Sequence, residues 1–166
     1  MAAGSAASIK RVAERGCNLL LDQFAPVPVI GERIALFKKE VEACGRVFDP
    51  LSVAVARDAY VAKDRADKMA ALDRNAKSRQ RTVAVSQTPG RQGGSHVLGY
   101  RHTAESGEAV SLVGTPDEIG EKLEAVRAAG AHYVLASFSG SRESLRRFAR
   151  EVAPAFRQYG PQVTNR

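Results

Sequence analysis

The chain has 166 residues, 44% hydrophobic and 26% charged, which excludes wholesale disorder and suits about one globular domain of roughly 100–200 residues. Its 25 Lys and Arg against 18 Asp and Glu leave a formal charge of +7, which permits anionic partners without specifying any. No apolar run approaches the roughly 18 residues of a membrane span, and residues 1–16 lack the basic-then-apolar order of a secretory signal.

Residues 5–15 place Ile9, Val12 and Ala13 at helical spacing, with Ser5 as a cap and Gly16 as a stop. Residues 17–21 are a compact apolar run that ends at Asp22 and Gln23, ahead of Pro26 and Pro28, and read as a buried strand entering a loop. Ile30, Ile34, Phe37, Val41 and Cys44 then recur at steps of three and four, the stripe of a helix ending at Gly45. After the Asp49-Pro50 break, residues 51–62 alternate Leu51, Val53 and Val55 with small residues, a strand pattern that also contains Arg57 and Asp58. Residues 63–81, rich in Ala, Lys, Arg and Asp, read as an exposed helix. Its Arg74, Lys77, Arg79 and Arg81 have no acid or aromatic among them, so the cluster reads as a solvated face rather than a nucleic-acid platform.

Residues 87–107 hold five glycines and no sustained period, so a long loop or insertion is expected. His96 and His102 within it have no cysteine nearby, and no metal site is expected. Thr115-Pro116-Asp117-Glu118 spells a capping box, followed by the stripe Ile119, Leu123 and Val126 and a stop at Gly130. Residues 132–138 read as a strand, and Ser139-Gly140-Ser141 as the turn into a helix carrying Leu145, Phe148, Ala149 and Val152. The polar tail, residues 159–166, is expected to fray. The two cysteines, Cys17 and Cys44, form no disulfide framework and favour the cytoplasm.

Helices alternating with strands imply an α/β architecture with a parallel sheet and right-handed crossovers. About three parallel strands are visible. Alone they would leave apolar surface uncovered, since parallel sheets need helices on both faces or closure.

Several segments carry a resemblance: residues 3–16 (AGSAASIKRVAERG), 18–23 (NLLLDQ), 52–62 (SVAVARDAYVA), 113–129 (VGTPDEIGEKLEAVRAA) and the stretch from Tyr133 that ends in EVAPAF. Together they resemble the luciferase-like family of flavin-dependent monooxygenases and oxidoreductases. The resemblance implies that residues 1–158 are the C-terminal portion of a (β/α)8 TIM-type barrel, beginning just after its fifth strand. The chemistry of such barrels lies on loops at the carboxyl ends of the strands.

The resemblance places the flavin phosphate on Gly4, Ser5 and Ser8. A helix start with free N–H groups and short hydroxyls suits a phosphate dianion, although Ser5 also reads as a simple cap. It places Asp22 and Gln23 near the flavin ring; the alternative is that Asp22 closes the strand with a turn bond. Of Arg57 and Asp58, one must face the barrel interior, and Arg57 reads either as a substrate contact or as half of an internal ion pair. Ser139 and Gly140, after the last strand, are further substrate-side candidates. The implied cofactor is FMN, with a deazaflavin coenzyme as the alternative, and the implied substrate a small organic molecule. Reduced flavin with molecular oxygen would oxidise it, or a deazaflavin would pass hydride, in either case only with the missing N-terminal strands present. No catalytic base is assignable. Two other readings stand beside this one: a half-barrel that assembles with itself or another chain, and a small basic nucleic-acid-binding module.

Overall fold

The computed structural model describes residues 1–86, 100, 103–138 and 142–156. Helix α1, Ala6–Glu14, starts at Ser5 and buries Ile9, Val12 and Ala13. Gly16 follows it at φ +66°, a left-handed turn that side-chain-bearing residues resist. Strand β1 is Leu19–Leu21, and α2 is Val27–Ala43 with Pro28 in its first turn. The helix begins three residues before Ile30, because the Pro26 and Pro28 rings suit a helix start as well as a loop. A short 3-10 turn, Pro50–Ser52, leads into β2, Val53–Val61.

Helix α3, Arg65–Ser86, runs beyond residue 81. Two elements depart from the sequence expectation. Helix α4, Ala104–Val110, occupies the last part of the stretch expected to be loop, started by a Thr103–Ser106 capping box. Strand β3, Leu112–Gly114, raises the strand number from three to four. All three of its residues are buried, so it lacks the alternation that marks a half-exposed strand. Helix α5, Pro116–Ala128, has the Thr115–Glu118 capping box the sequence spelled. Strand β4, Tyr133–Ser137, helix α6, Arg142–Glu151, and the short α7, Ala153–Phe156, complete the order. The remainder of the expected loop apart from Tyr100 and Thr103, the turn at residues 139–141 and the polar tail lie outside the described residues.

The sheet is parallel. β1 pairs with β2 from Leu19↔Val53 to Leu21↔Val55, and β4 pairs with β2 from Ala54↔Tyr133 to Asp58↔Ser137. β3 joins the far end of β2, from Ala59↔Leu112 to Val61↔Gly114. Residues 1–3 add the stub of a further parallel strand: Ala2 bridges Leu20, Leu20 N donates to Met1 O at 2.8 Å and Ala3 N to Leu20 O at 3.2 Å. Where β4 stops, α6 takes over the neighbouring backbone of β2. Val61 N donates to Ser144 Oγ at 2.8 Å, and Arg147 donates to Val61 O at 3.2 Å.

One face of this sheet packs on helices. Leu19, Leu21, Val53 and Val55 share a core with Ile9, Val12, Ile30, Ile34 and Phe37 of α1 and α2. Ala59 and Val61 share a second with Leu112, Ile119 and Val152, against which Val134, Ala136 and Phe148 pack. Each large apolar side chain buried this way contributes about 1.5–3 kcal/mol. The alternate residues look the other way. Leu20, Ala54 and Ala56 are half-buried, while Tyr133 and Leu135 are 49% and 41% exposed. In a closed barrel that face is the packed interior.

Candidate functional site

The carboxyl ends of the parallel strands carry three polar constellations. The first is the turn from the residue 1–3 stub into α1. Ser8 N donates to Ser5 Oγ at 3.3 Å, Ser5 N donates to Ser8 Oγ at 3.1 Å, and the Ser8 hydroxyl donates to Ser5 O at 2.8 Å. The first helical bond runs from Ile9 N to Ser5 O, so the amides of Ala6 and Ala7 precede the intrahelical ladder and sit at its positive end. The Ser8 proton is committed to the backbone, whereas the Ser5 hydroxyl, 2.9 Å from Ser8 Oγ, can turn its proton outward. Two amides and one hydroxyl beside Gly4 form a donor set that fits a phosphate.

The second constellation follows β1 and covers the end of β2. Asp22 Oδ1 accepts from the amides of Phe24 and Ala25 at 2.8 and 2.9 Å, closing the turn after the strand. Its other oxygen pairs with Arg33 at 2.8 Å, and Arg33 also donates to the Tyr100 hydroxyl at 3.0 Å. Tyr100 packs on Phe24, with ring centroids 6.1 Å apart, and Arg79 lies 5.0 Å over the other aromatic partner, the Phe24 ring. Arg79 in turn grips Asp58 Oδ2 through Nε and Nη2. Arg57, 1% exposed, donates to the carbonyls of Asp22, Ala25 and Ala56 at 3.2, 2.8 and 3.0 Å. Burial pulls its guanidinium well below its usual range, to about 10, opposed by Asp22.

Both Arg57 and Asp58 are thus enclosed. The partner of Arg57 is main chain, and the ion pair belongs to Asp58. Arg79 is 7% exposed, so the basic cluster of α3 is not the uniformly solvated face expected from sequence. Arg74 stays exposed, lying 5.5 Å over the Tyr60 ring. Gln23 is half-buried beside Asp22. Ser139 and Gly140 lie outside the described residues, as do His96 and His102.

The third constellation lies where α3, α4 and α5 meet. Lys68 bridges Glu108 and Glu118 at 2.7 Å each, and these residues with Asp64, Arg65, Met69 and Thr115 line a cleft of about 290 Å³. The hydrogen bonds from Lys68 and the Thr115 amide hold the Glu118 carboxyl below its ordinary range. The two carboxylates raise Lys68. Lys122 donates to the carbonyls of Glu108, Ser111 and Val113 at 2.9, 3.0 and 3.1 Å, and burial lowers its pKa. Lys68, Glu108, Glu118 and Lys122 each have a partner, so the cleft is braced rather than poised for proton transfer. Among the described residues no His, Cys, Asp and Glu group could hold a metal ion, and no helix is long and apolar enough to cross a membrane.

Sequence reasoning missed Arg33, Arg79, Tyr100 and Lys68. Two left a signal. Arg33 interrupts the apolar stripe between Ile30 and Phe37, and Arg79 continues the Leu72–Ala76 face of α3, both positions where a charge implies a buried partner.

Parallel strands with flanking helices, and polar groups gathered at the strands' carboxyl ends, define this chain as part of a β/α barrel. The sequence profile of luciferase-like monooxygenases matches residues 1–133, and the chain belongs to that family. Comparison with curated proteins finds no significant match. Among solved structures, monooxygenase RslO1 from Streptomyces bottropensis superposes with a TM-score of 0.69 at 19% identity, covering 93% of this chain and 47% of that one. The FMN complex of the oxygenating constituent of 3,6-diketocamphane monooxygenase from Pseudomonas putida gives 0.65 at 16%, covering 92% and 46%. An F420-dependent secondary alcohol dehydrogenase, in complex with an F420-acetone adduct, gives 0.69 at 16%, covering 94% and 48%. The chain therefore spans about half the length of these structures.

Proposed function

We propose that this chain is the cofactor-phosphate-bearing half of a flavin-dependent oxidoreductase, one that oxidises a small organic substrate with reduced flavin and molecular oxygen. The observation that carries the reading is the stub–Gly4–Ser5 turn. It sets the Ala6 and Ala7 amides and the Ser5 hydroxyl at the carboxyl end of a parallel strand, where barrels of this kind bind ligands. FMN bound here would supply the redox chemistry, and a deazaflavin, as in the F420 complex, would fit the same donors through its phosphate.

The chain's own residues orient and exclude water. The Asp22 turn and the Arg33–Tyr100 and Arg79–Asp58 contacts hold a closed, polar wall beside the phosphate turn, with Gln23 next to it as the ring-side candidate. Arg57, fully enclosed, supports that wall from within through the Ala25 carbonyl. The described parallel strands are about half of the eight that a barrel of this kind closes, so turnover depends on further strands.

A helix start stabilises an anion by about 0.3–1 kcal/mol, up to about 2, against the roughly 4 kcal/mol that a millimolar Kd represents. FMN should therefore bind this chain weakly, and through its phosphate. In amide-resolved NMR titrations, FMN should shift Ala6, Ala7 and Ser8, riboflavin should not, and Ser5→Ala should weaken the response. Equal shifts from riboflavin and FMN, or none at residues 4–8, would refute the assignment. Tight stoichiometric FMN binding would refute the dependence on further strands.

A further inference from the structure

We propose that the last turn of α4 and strand β3 form a main-chain site for a monovalent, ammonium-sized cation, and that the side chain of Lys122 is its resident cation. All of its groups lie within the described residues, and the inference does not rest on the flavin reading. Lys122, in the second turn of α5, donates to the carbonyls of Glu108, Ser111 and Val113 at 2.9, 3.0 and 3.1 Å. An ammonium has three donors, and these three oxygens use them all. The carboxylates of Glu108 and Glu118 are both taken by Lys68, at 2.7 Å each. A lysine that only neutralised charge would pair with one of them. Lys122 instead sits among neutral oxygens, every one from the main chain.

The chain path explains why the oxygens converge. α4 ends at Val110, and its Gly107 carbonyl takes the Ser111 amide at 2.9 Å and the Ser111 hydroxyl at 2.6 Å. The next carbonyl, Glu108, is one of the last four of the helix, which have no helical donor and carry its negative end. Ser111 then turns the chain into extended backbone, φ −97° and ψ 156°. Carbonyls two residues apart in such a segment point the same way, so those of Ser111 and Val113 both face Lys122. Calcium takes six to eight oxygens, commonly with carboxylates among them, and magnesium demands an octahedron. Three neutral carbonyls suit ammonium or potassium, whose hydration shells carbonyl oxygens replace. The cage also places α4. That helix otherwise rests on small contacts, Ala104 against the Ala71, Leu72 and Val113 cluster and Gly107 beside Leu72 and Arg79. Lys122 thereby positions the helix that abuts the Arg79–Asp58 pair.

The test compares thermal melts of the full chain, Lys122→Ala and Lys122→Met in potassium, ammonium, sodium and choline chloride at equal ionic strength. The unaltered chain should melt alike in all four, since its site is filled. Both variants should melt lower by about 5 °C or more, the loss of hydrogen bonds to a charged group. Potassium and ammonium should restore most of that loss in Lys122→Ala, while choline, too bulky for the cage, should not. Lys122→Met keeps the stem in place and should gain nothing from any of them. A Lys122→Met chain as stable as the unaltered one would show that the stem and not the charge matters, and would overturn the proposal. So would a Lys122→Ala chain indifferent to the cation. A second measurement needs no variant to fold well: the Lys122 ammonium of the unaltered chain should keep its 15N–H signal at a pH where exposed lysines have exchanged theirs. Loss of that signal together with theirs would equally refute the cage.

Discussion

Replacing Arg79 by Met tests whether the polar wall after β1 and β2 is held by charge or by packing. Arg79 and Asp58 side chains are 7% and 12% exposed, and Nε lies 3.1 Å from Oδ2. At an effective dielectric of about 20 the attraction at that separation is on the order of 5 kcal/mol. The variant also leaves a desolvated carboxylate behind, and breaking such a pair by removing one partner costs about 3–5 kcal/mol. Loss of the Arg79 contact with Phe24 adds about 0.5–2 kcal/mol. Set against the 5–15 kcal/mol typical of a whole domain, the single change is severe. At a urea m-value of about 2 kcal/mol/M, a loss of 4 kcal/mol moves the midpoint by about 2 M. The double variant Asp58→Leu/Arg79→Met removes the stranded charge along with its partner and should recover most of the loss. Urea unfolding followed by circular dichroism measures all three proteins. A single-variant loss below about 1 kcal/mol, the value of an exposed pair, would refute the reasoning. So would a double variant no better than the single.

Two further outcomes follow from the caps. Ser5→Ala should cost about 1 kcal/mol of stability, the usual value of a lost helix cap, read as a thermal shift with no ligand present. Glu118 has its folded pKa lowered by Lys68 and the Thr115 amide, so its contribution is present above the ordinary value of 4.5 and is lost as pH falls through the lower folded value. Glu118→Gln should therefore flatten the acid limb of the stability profile below about pH 4.5, which a pH series of thermal melts would show. An unchanged acid limb would mean that the Lys68 bridge contributes nothing.

Legibility varied with the range of the interactions involved. The cap at Ser5, the Thr115–Glu118 box and the stop at Gly16 depend on atoms within four residues of one another, and the structure has them where the sequence placed them. The apolar stripes of α1, α2 and α5 were equally plain. β3 was not, because a three-residue strand buried throughout shows no period of two. α4 was hidden by Gly107 and the glycines before it; a tertiary setting beside Arg79 and Leu72 overrides its poor propensity. Of the candidate site, the Gly4–Ser8 turn was readable because it is a local motif. The bonds of Arg57, Arg33 and Arg79 span 32, 67 and 21 residues, and no local pattern names such partners.

By itself the sequence determined the α/β class, the family resemblance, the helix ends and the Gly4–Ser8 turn, since each rests on contacts between near neighbours or on a motif string. The tertiary structure decided that a fourth strand exists, that Arg79 belongs to the interior and that Arg57 spends its donors on carbonyls. It also decided which side of the sheet is left open. That asymmetry comes from helices packing on one face of a twisted parallel sheet while, among the described residues, Tyr133 and Leu135 on the other stay exposed. Alternation along β4 announces two faces, but only the fold determines which of them finds a partner.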